Sequence, residues 1–92
     1  MNYHLNLTKD ALEDIENLKK AGDKTILRKL AILLKELTEH PRVGTGQPEE
    51  LKHNYSGCWS RRLSIKHRII YRIQDNQYTV IILYIGGHYA DK

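Results

Sequence analysis

Polar and apolar residues alternate from Met1 to Leu7, with Tyr3, Leu5 and Leu7 on one side and Asn2, His4 and Asn6 on the other. A period of two belongs to a strand with one buried face. From Thr8 the period changes. Thr8 can cap a helix, and Ala11, Leu12, Ile15 and Leu18 recur at helical spacing. Gly22 suits the end of that helix and Asp23 the start of another. In the second helix Ile26, Leu27, Leu30, Ala31, Leu33, Leu34 and Leu37 form a broad apolar stripe, and His40-Pro41 stops it. So little chain joins the two helices that they are expected to form a hairpin.

The second half reads as loops and strands. Gly44 to Pro48 is too rich in glycine and proline for helix or strand interior, and Glu49 sits at the edge of this loop. An extended piece is expected from Glu50 to His53, then a turn at Asn54-Tyr55-Ser56-Gly57. Cys58 to Ile65 reads as a strand with Trp59, Leu63 and Ile65 on one face and Ser60, Arg62 and Ser64 on the other. Arg68 to Ile73 is the next strand, with Ile69, Tyr71 and Ile73 inward and Arg68, Ile70 and Arg72 outward. Asp75-Asn76 makes a hairpin turn. Tyr78 to Ile85 is apolar on both faces, which suits a central strand. Gly86-Gly87 breaks it and is expected to loosen the backbone before His88 and Tyr89. This order predicts an α+β domain: an N-terminal strand, then a helix hairpin packed on one face of a mainly antiparallel sheet, whose opposite face presents Arg62 and Arg68. The 92 residues suit a single domain over 1–92, and no internal repeat is visible.

Charge adds a direction to this layout. Residues 1–49 carry eight basic and eight acidic side chains, which cancel. Between Leu51 and Arg72 stand Lys52, Arg61, Arg62, Lys66, Arg68 and Arg72, with no acid among them. Such a stretch attracts a polyanion, or else simply solvates a surface. No apolar run approaches the ~20 residues of a membrane span. The start MNYHLNL has no charged leader followed by an apolar stretch, so no secretory signal is expected. The single cysteine, Cys58, cannot form an internal disulfide and fits a reducing cytoplasm.

Metal chemistry fits poorly, since no His or acid pair has a helical two-ligand spacing and one cysteine cannot build a thiolate zinc site. GTG lacks a following Lys-Ser/Thr and opens no helix, so it is not a phosphate loop. Cys58 beside Trp59 reads as packing. RNA cleavage fits better, because RNA brings its own nucleophile, the 2′-hydroxyl. The protein need only take that proton, stabilise charge on the phosphorane and protonate the leaving 5′ oxygen. Glu49, Arg62, Arg68 and His88 supply a base, two cations and an acid, at a loop edge, on two neighbouring strands and beyond the last strand.

The stretch GTGQPEELKHNYSGCWSRRLSIKHRIIYRI, with the late His88-Tyr89 pair, resembles the YoeB/Txe toxins of the RelE superfamily. The resemblance implies the toxin of a bacterial type II toxin–antitoxin module. Such a toxin cuts mRNA in the ribosomal A site without metal or cofactor, leaving a 2′,3′-cyclic phosphate and a 5′-hydroxyl. It implies Glu49 as general base, Lys52 and Arg62 as neutralisers of the substrate phosphate, Arg68 as contact to the phosphorane and His88 as general acid. Tyr89 would hold or stack on the substrate. It further implies a YefM-like antitoxin partner, a homodimer, operator DNA bound only through the antitoxin complex, and a cytoplasmic protein without membrane association.

Blander roles exist for each residue. Glu49 could pair with Lys52, Arg68 with Asp75 or the chain terminus, and His88 could cap the chain after the glycines, while Tyr89 could be hydrophobic cover. Trp59 and Tyr71 read as core. His53 and His67 lie in the basic run and are assigned no chemistry. The chain departs from the family pattern in carrying Ala90, Asp91 and Lys92 after the His-Tyr pair. Asp91 there would raise the pKa of His88. Cys58 stands where an aromatic residue is common, which alters packing. A ParE-like gyrase inhibitor of the same fold, or a plain nucleic-acid-binding module, would need no acid–base pair such as Glu49 and His88.

Overall fold

The computed structural model describes residues 2–87. Its elements run β1 (His4–Leu7), α1 (Lys9–Ala21), α2 (Lys24–Glu39), β2 (Glu49–Glu50), β3 (Trp59–Arg62), β4 (Arg68–Gln74) and β5 (Thr79–Gly86), with single 3-10 turns at His53–Tyr55 and Asp75–Gln77. The strands form one five-stranded sheet in the order β1-β5-β4-β3-β2. Only β1 and β5 pair in parallel; the other three pairings are antiparallel. The fold is thus α+β with a mainly antiparallel sheet.

The helix boundaries follow local chemistry. Thr8 Oγ1 accepts from the Ala11 amide at 3.1 Å, and Gly22 closes α1 at φ +76°. Asp23 Oδ1 accepts from the amides of Thr25 and Ile26 at 3.0 and 3.1 Å, which starts α2. Each side-chain cap satisfies amide donors that have no partner inside the helix. The apolar stripes then close on the sheet: Ala11, Leu30, Leu33 and Leu37 are buried with Leu63, Ile69, Tyr71, Val80, Ile82 and Ile85. Leu12 lies off that stripe and is exposed, because Ala11, Ile15 and Leu18 already fill the α1 interface.

A bulge in β5 decides which side chains face the helices. Ile70 pairs with Tyr84, but Tyr71 pairs with Ile82, so Leu83 is the extra residue. Without it Ile82 and Ile85 would point to opposite faces; with it both enter the core. The bulge is tied to α1: Thr8 Oγ1 donates to the Leu83 carbonyl, the Thr8 amide donates to Ile82 O at 3.1 Å, and Asp14 Oδ2 accepts from the Ile85 amide at 2.8 Å.

Several strands differ from the sequence pattern. The extended piece expected at Glu50–His53 is instead Glu49–Glu50, and His53 enters a 3-10 turn with φ +60°. The strand expected to reach Ile65 ends at Arg62. A tight turn follows, in which Ser64 Oγ accepts from the amides of Lys66 and His67 and bonds His67 Nδ1 at 3.0 Å. That turn pushes Ile65 out to 98% exposure rather than into the core.

Candidate active site on the open face of the sheet

The registers set two rows across the face opposite the helices. In one, Glu49 stands opposite Ser60, Ser60 opposite Ile70 and Ile70 opposite Tyr84. In the next, two residues along β3, Arg62 stands opposite Arg68 and Arg68 opposite Gly86. The strands therefore bring Glu49, Arg62 and Arg68 to one end of one face. Glu49 and Arg62 are exposed, and Arg68 is half-buried. Like charges directly opposite in a ladder repel, and Arg62 and Arg68 stand in that relation. Lys52 follows β2 and is exposed; its carbonyl accepts from the Tyr55 amide at 3.2 Å. Arg72 lies further along the same face, opposite Ile81, with its guanidinium 3.7 Å from the buried Cys58 Sγ.

His88 and Tyr89, with the extension through Lys92, lie outside the described residues. The strand leading to them is described through Gly86. Gly86 pairs with Arg68, and a Cβ on Gly87 would come within 2.2 Å of the Lys66 carbonyl oxygen. Gly87 thus serves a close backbone approach to the β3–β4 turn.

Beneath this face lies an arginine that the charge pattern does not single out. Arg61 points the other way, toward the helices, and is fully buried. It pairs with Glu36 of α2 at 2.8 Å and donates to the carbonyls of His40, Val43 (2.6 Å) and Thr45 (3.2 Å). Its Nε reaches the Tyr71 hydroxyl at 3.4 Å, and that hydroxyl donates to Pro41 O at 2.7 Å. Glu36 also accepts from the Thr45 hydroxyl at 2.7 Å and amide at 2.8 Å, and these bonds with Arg61 hold its carboxyl below the usual range. Burial pushes the Tyr71 hydroxyl up.

The loop from Pro41 to Gly46 is therefore sewn onto β3, and it delivers Glu49. Gly46 O accepts from the Arg62 amide at 2.6 Å. Glycine is required twice in this loop: a Cβ would stand 2.5 Å from Glu36 Oε1 at Gly44 and 2.7 Å from Arg62 O at Gly46. Strict alternation would have found Arg61, since it shares a face with Trp59 and Leu63. A charge on a core face needs an acid partner.

The alternative partner for Arg68, Asp75, is engaged elsewhere. It accepts from Arg42 at 2.7 and 3.3 Å and from the Tyr3 hydroxyl at 2.6 Å, and both hold its carboxyl below the usual range. Among the described residues no group of three or more His, Cys, Asp or Glu could hold a metal ion. No helix among them is long and apolar enough to cross a membrane.

A helix hairpin on one face of a mixed five-stranded sheet is a fold shared with solved bacterial toxins. The sequence profile of the YoeB-like toxin of bacterial type II toxin-antitoxin systems matches residues 7–89. Toxin YoeB of Escherichia coli K12 is 43% identical over 67 residues, covering 73% of this chain and 77% of that one. Among solved structures, a YoeB/ParE toxin from Agrobacterium tumefaciens superposes with a TM-score of 0.85 at 29% identity, covering 94% of this chain and 99% of that one. The YoeB of a heterotetrameric YoeB-YefM complex from Staphylococcus aureus superposes with a TM-score of 0.79 at 30% identity, covering 97% and 100%. The YoeB dimer from the same organism gives 0.80 at 31%, again covering 97% and 100%. The chain belongs to the YoeB family and is a toxin of a type II toxin–antitoxin system.

Proposed function

We propose that this toxin is a metal-independent endoribonuclease that cuts mRNA in the ribosomal A site and so stops translation. Glu49 takes the proton of a ribose 2′-hydroxyl, and the 2′ oxygen attacks the adjacent phosphorus. The bond from phosphorus to the 5′ oxygen breaks, and His88 gives that oxygen its proton. The products are a 2′,3′-cyclic phosphate and a 5′-hydroxyl, so atoms and protons balance without water or metal. Lys52 and Arg62 neutralise the phosphate, Arg68 faces the charge that grows on the phosphorane, and Tyr89 stacks on the nucleotide at the cut.

The observation that carries this reading is the ladder register, which sets Glu49, Arg62 and Arg68 on one face and ends β5 opposite Arg68, two residues before His88. The fully exposed Ile65 and the adjacent Lys66 mark the same end of the sheet as a surface shaped for contact. The YefM partner and the dimer of the Staphylococcus proteins support a YefM-like antitoxin and a homodimer here. In this reading operator DNA is met only through the antitoxin complex, and the protein works in the cytoplasm.

The test is expression of Glu49→Ala, Arg68→Ala and His88→Ala variants beside the wild type, with mapping of 5′ ends on translated mRNA. Each variant should relieve growth arrest and remove in-frame cleavage while keeping a cooperative melt. Full toxicity in all three would reject the site. Inhibition of gyrase supercoiling with intact mRNA would replace the nuclease by an inhibitor of the ParE kind.

A further inference from the structure

At the centre of the proposed site lies a group that takes no part in the proton transfers. Ser60 is fully buried, and its hydroxyl is the one buried side-chain polar atom among the described residues without a hydrogen-bond partner. An orphaned buried hydroxyl opposes folding, and in a strand position flanked by Trp59 and Ile70 an apolar residue would pack without that cost. Its neighbours are therefore informative. Directly across the ladder stands Glu49. Directly opposite residues have Cβ atoms about 4.5–5.5 Å apart, and a glutamate carboxylate extends a further two bonds, so one rotation of Glu49 brings an oxygen to the Ser60 hydroxyl. Arg62 is the next residue on the same face of β3, but it carries only donors and cannot accept from a hydroxyl. Glu49 is thus the side-chain acceptor that the register puts nearest.

We propose that Ser60 is a positioning residue for Glu49. In the free protein the exposed carboxylate is solvated and Ser60 waits unpaired. When RNA covers the face and removes that water, the Ser60 hydroxyl donates to one Glu49 oxygen and leaves the other for the 2′-hydroxyl. The bond favours the ionised carboxylate at the moment when desolvation and the nearby phosphate both disfavour it. It also fixes which oxygen takes the proton. This inference rests on Glu49 being the base.

The experiment compares wild type, Ser60→Ala, Ser60→Thr and Glu49→Gln in single-turnover cleavage of ribosome-bound mRNA from pH 5 to 9, with a thermal melt of each. Ser60→Ala is expected to melt at or above the wild-type temperature, since it removes an unpaired hydroxyl. It should cleave roughly tenfold more slowly at saturating protein, with the acidic limb of the rate profile moved to higher pH and half-saturation unchanged. Ser60→Thr keeps the hydroxyl and should restore the limb. A Ser60→Ala protein with the wild-type rate and profile overturns the proposal while Glu49→Gln remains inactive. Wild-type cleavage by Glu49→Gln would instead remove the base on which the proposal stands.

Discussion

Arg61 shows how much a single buried charge can organise. Its guanidinium has one carboxylate and three carbonyls to serve, and the planar fork of arginine can reach them together. Removing it leaves three loop carbonyls without their donor and Glu36 with only its two bonds from Thr45. Breaking a buried pair on one side costs about 3–5 kcal/mol. Arg61→Ala is expected to lose that much in urea unfolding, and Arg61→Lys most of it, because an ammonium cannot bridge His40, Val43 and Thr45 at once. A loss below about 1 kcal/mol for the lysine variant would show that charge alone suffices. Acid should act on the same clasp. Glu36 is held below its ordinary value of 4.5, so the unfolded chain binds the proton first as pH falls. The stabilisation is complete above about pH 4.5 and is lost as pH drops through the lowered folded value. Melting temperature should fall along that limb in the wild type and less steeply in Glu36→Gln. Parallel limbs in the two proteins would place the acid sensitivity elsewhere.

At the scale of elements, β5 is the strand on which most depends, because its bulge sets one set of side chains into the core and its end faces Arg68. Its exit offers a sharp contrast. A Cβ at Gly86 meets nothing within 4 Å, whereas at Gly87 it would press to 2.2 Å from backbone at Lys66. Gly86→Ala should therefore keep toxicity. Gly87→Ala should lose it by displacing the segment that leads to His88, with only a small change in melting temperature, because the core lies upstream. Equal toxicity of the two would mean that the close approach has no functional weight.

The same strand marks where sequence reasoning stopped. Thr8, Gly22 and Asp23 were legible because a cap is a local event, written within a few residues. The two-faced apolar run of β5 rightly placed it between neighbours, but such a run carries no phase, so the Leu83 bulge left no trace. Arg62 and Arg68 were placed on the open face by alternation, and the register agrees. Ile65 and Arg61 escape the sequence pattern for one reason: the pattern equates hydrophobicity with burial and charge with exposure. A tight turn reversed the first, and a long-range partner on α2 reversed the second. His88 and Tyr89 rest on motif resemblance alone.

Across the whole molecule the two faces of the sheet do different work. The helix side holds the core and the Arg61 clasp. The open side carries Arg62, Arg68 and Arg72, with Glu49 at the margin. Guanidinium groups that face each other across a ladder repel, and a polyanion between them relieves that repulsion. Such an arrangement makes stability and binding respond in opposite senses to one substitution. Arg62→Gln removes one of two facing charges from an exposed position, so its melting temperature should hold or rise by a degree or two on the order expected for a few tenths of a kcal/mol. Its affinity for a short single-stranded RNA should fall, and the slope of log affinity against log salt should shrink by about 0.7, the share of one phosphate contact. Titration of the oligonucleotide between low and physiological salt reads both quantities. An unchanged slope with reduced affinity would mean that Arg62 acts by shaping the surface rather than by meeting a phosphate. A lowered melting temperature would mean that the pair is stabilised by contacts within the protein, and the opposed responses that define this face as a binding surface would be lost.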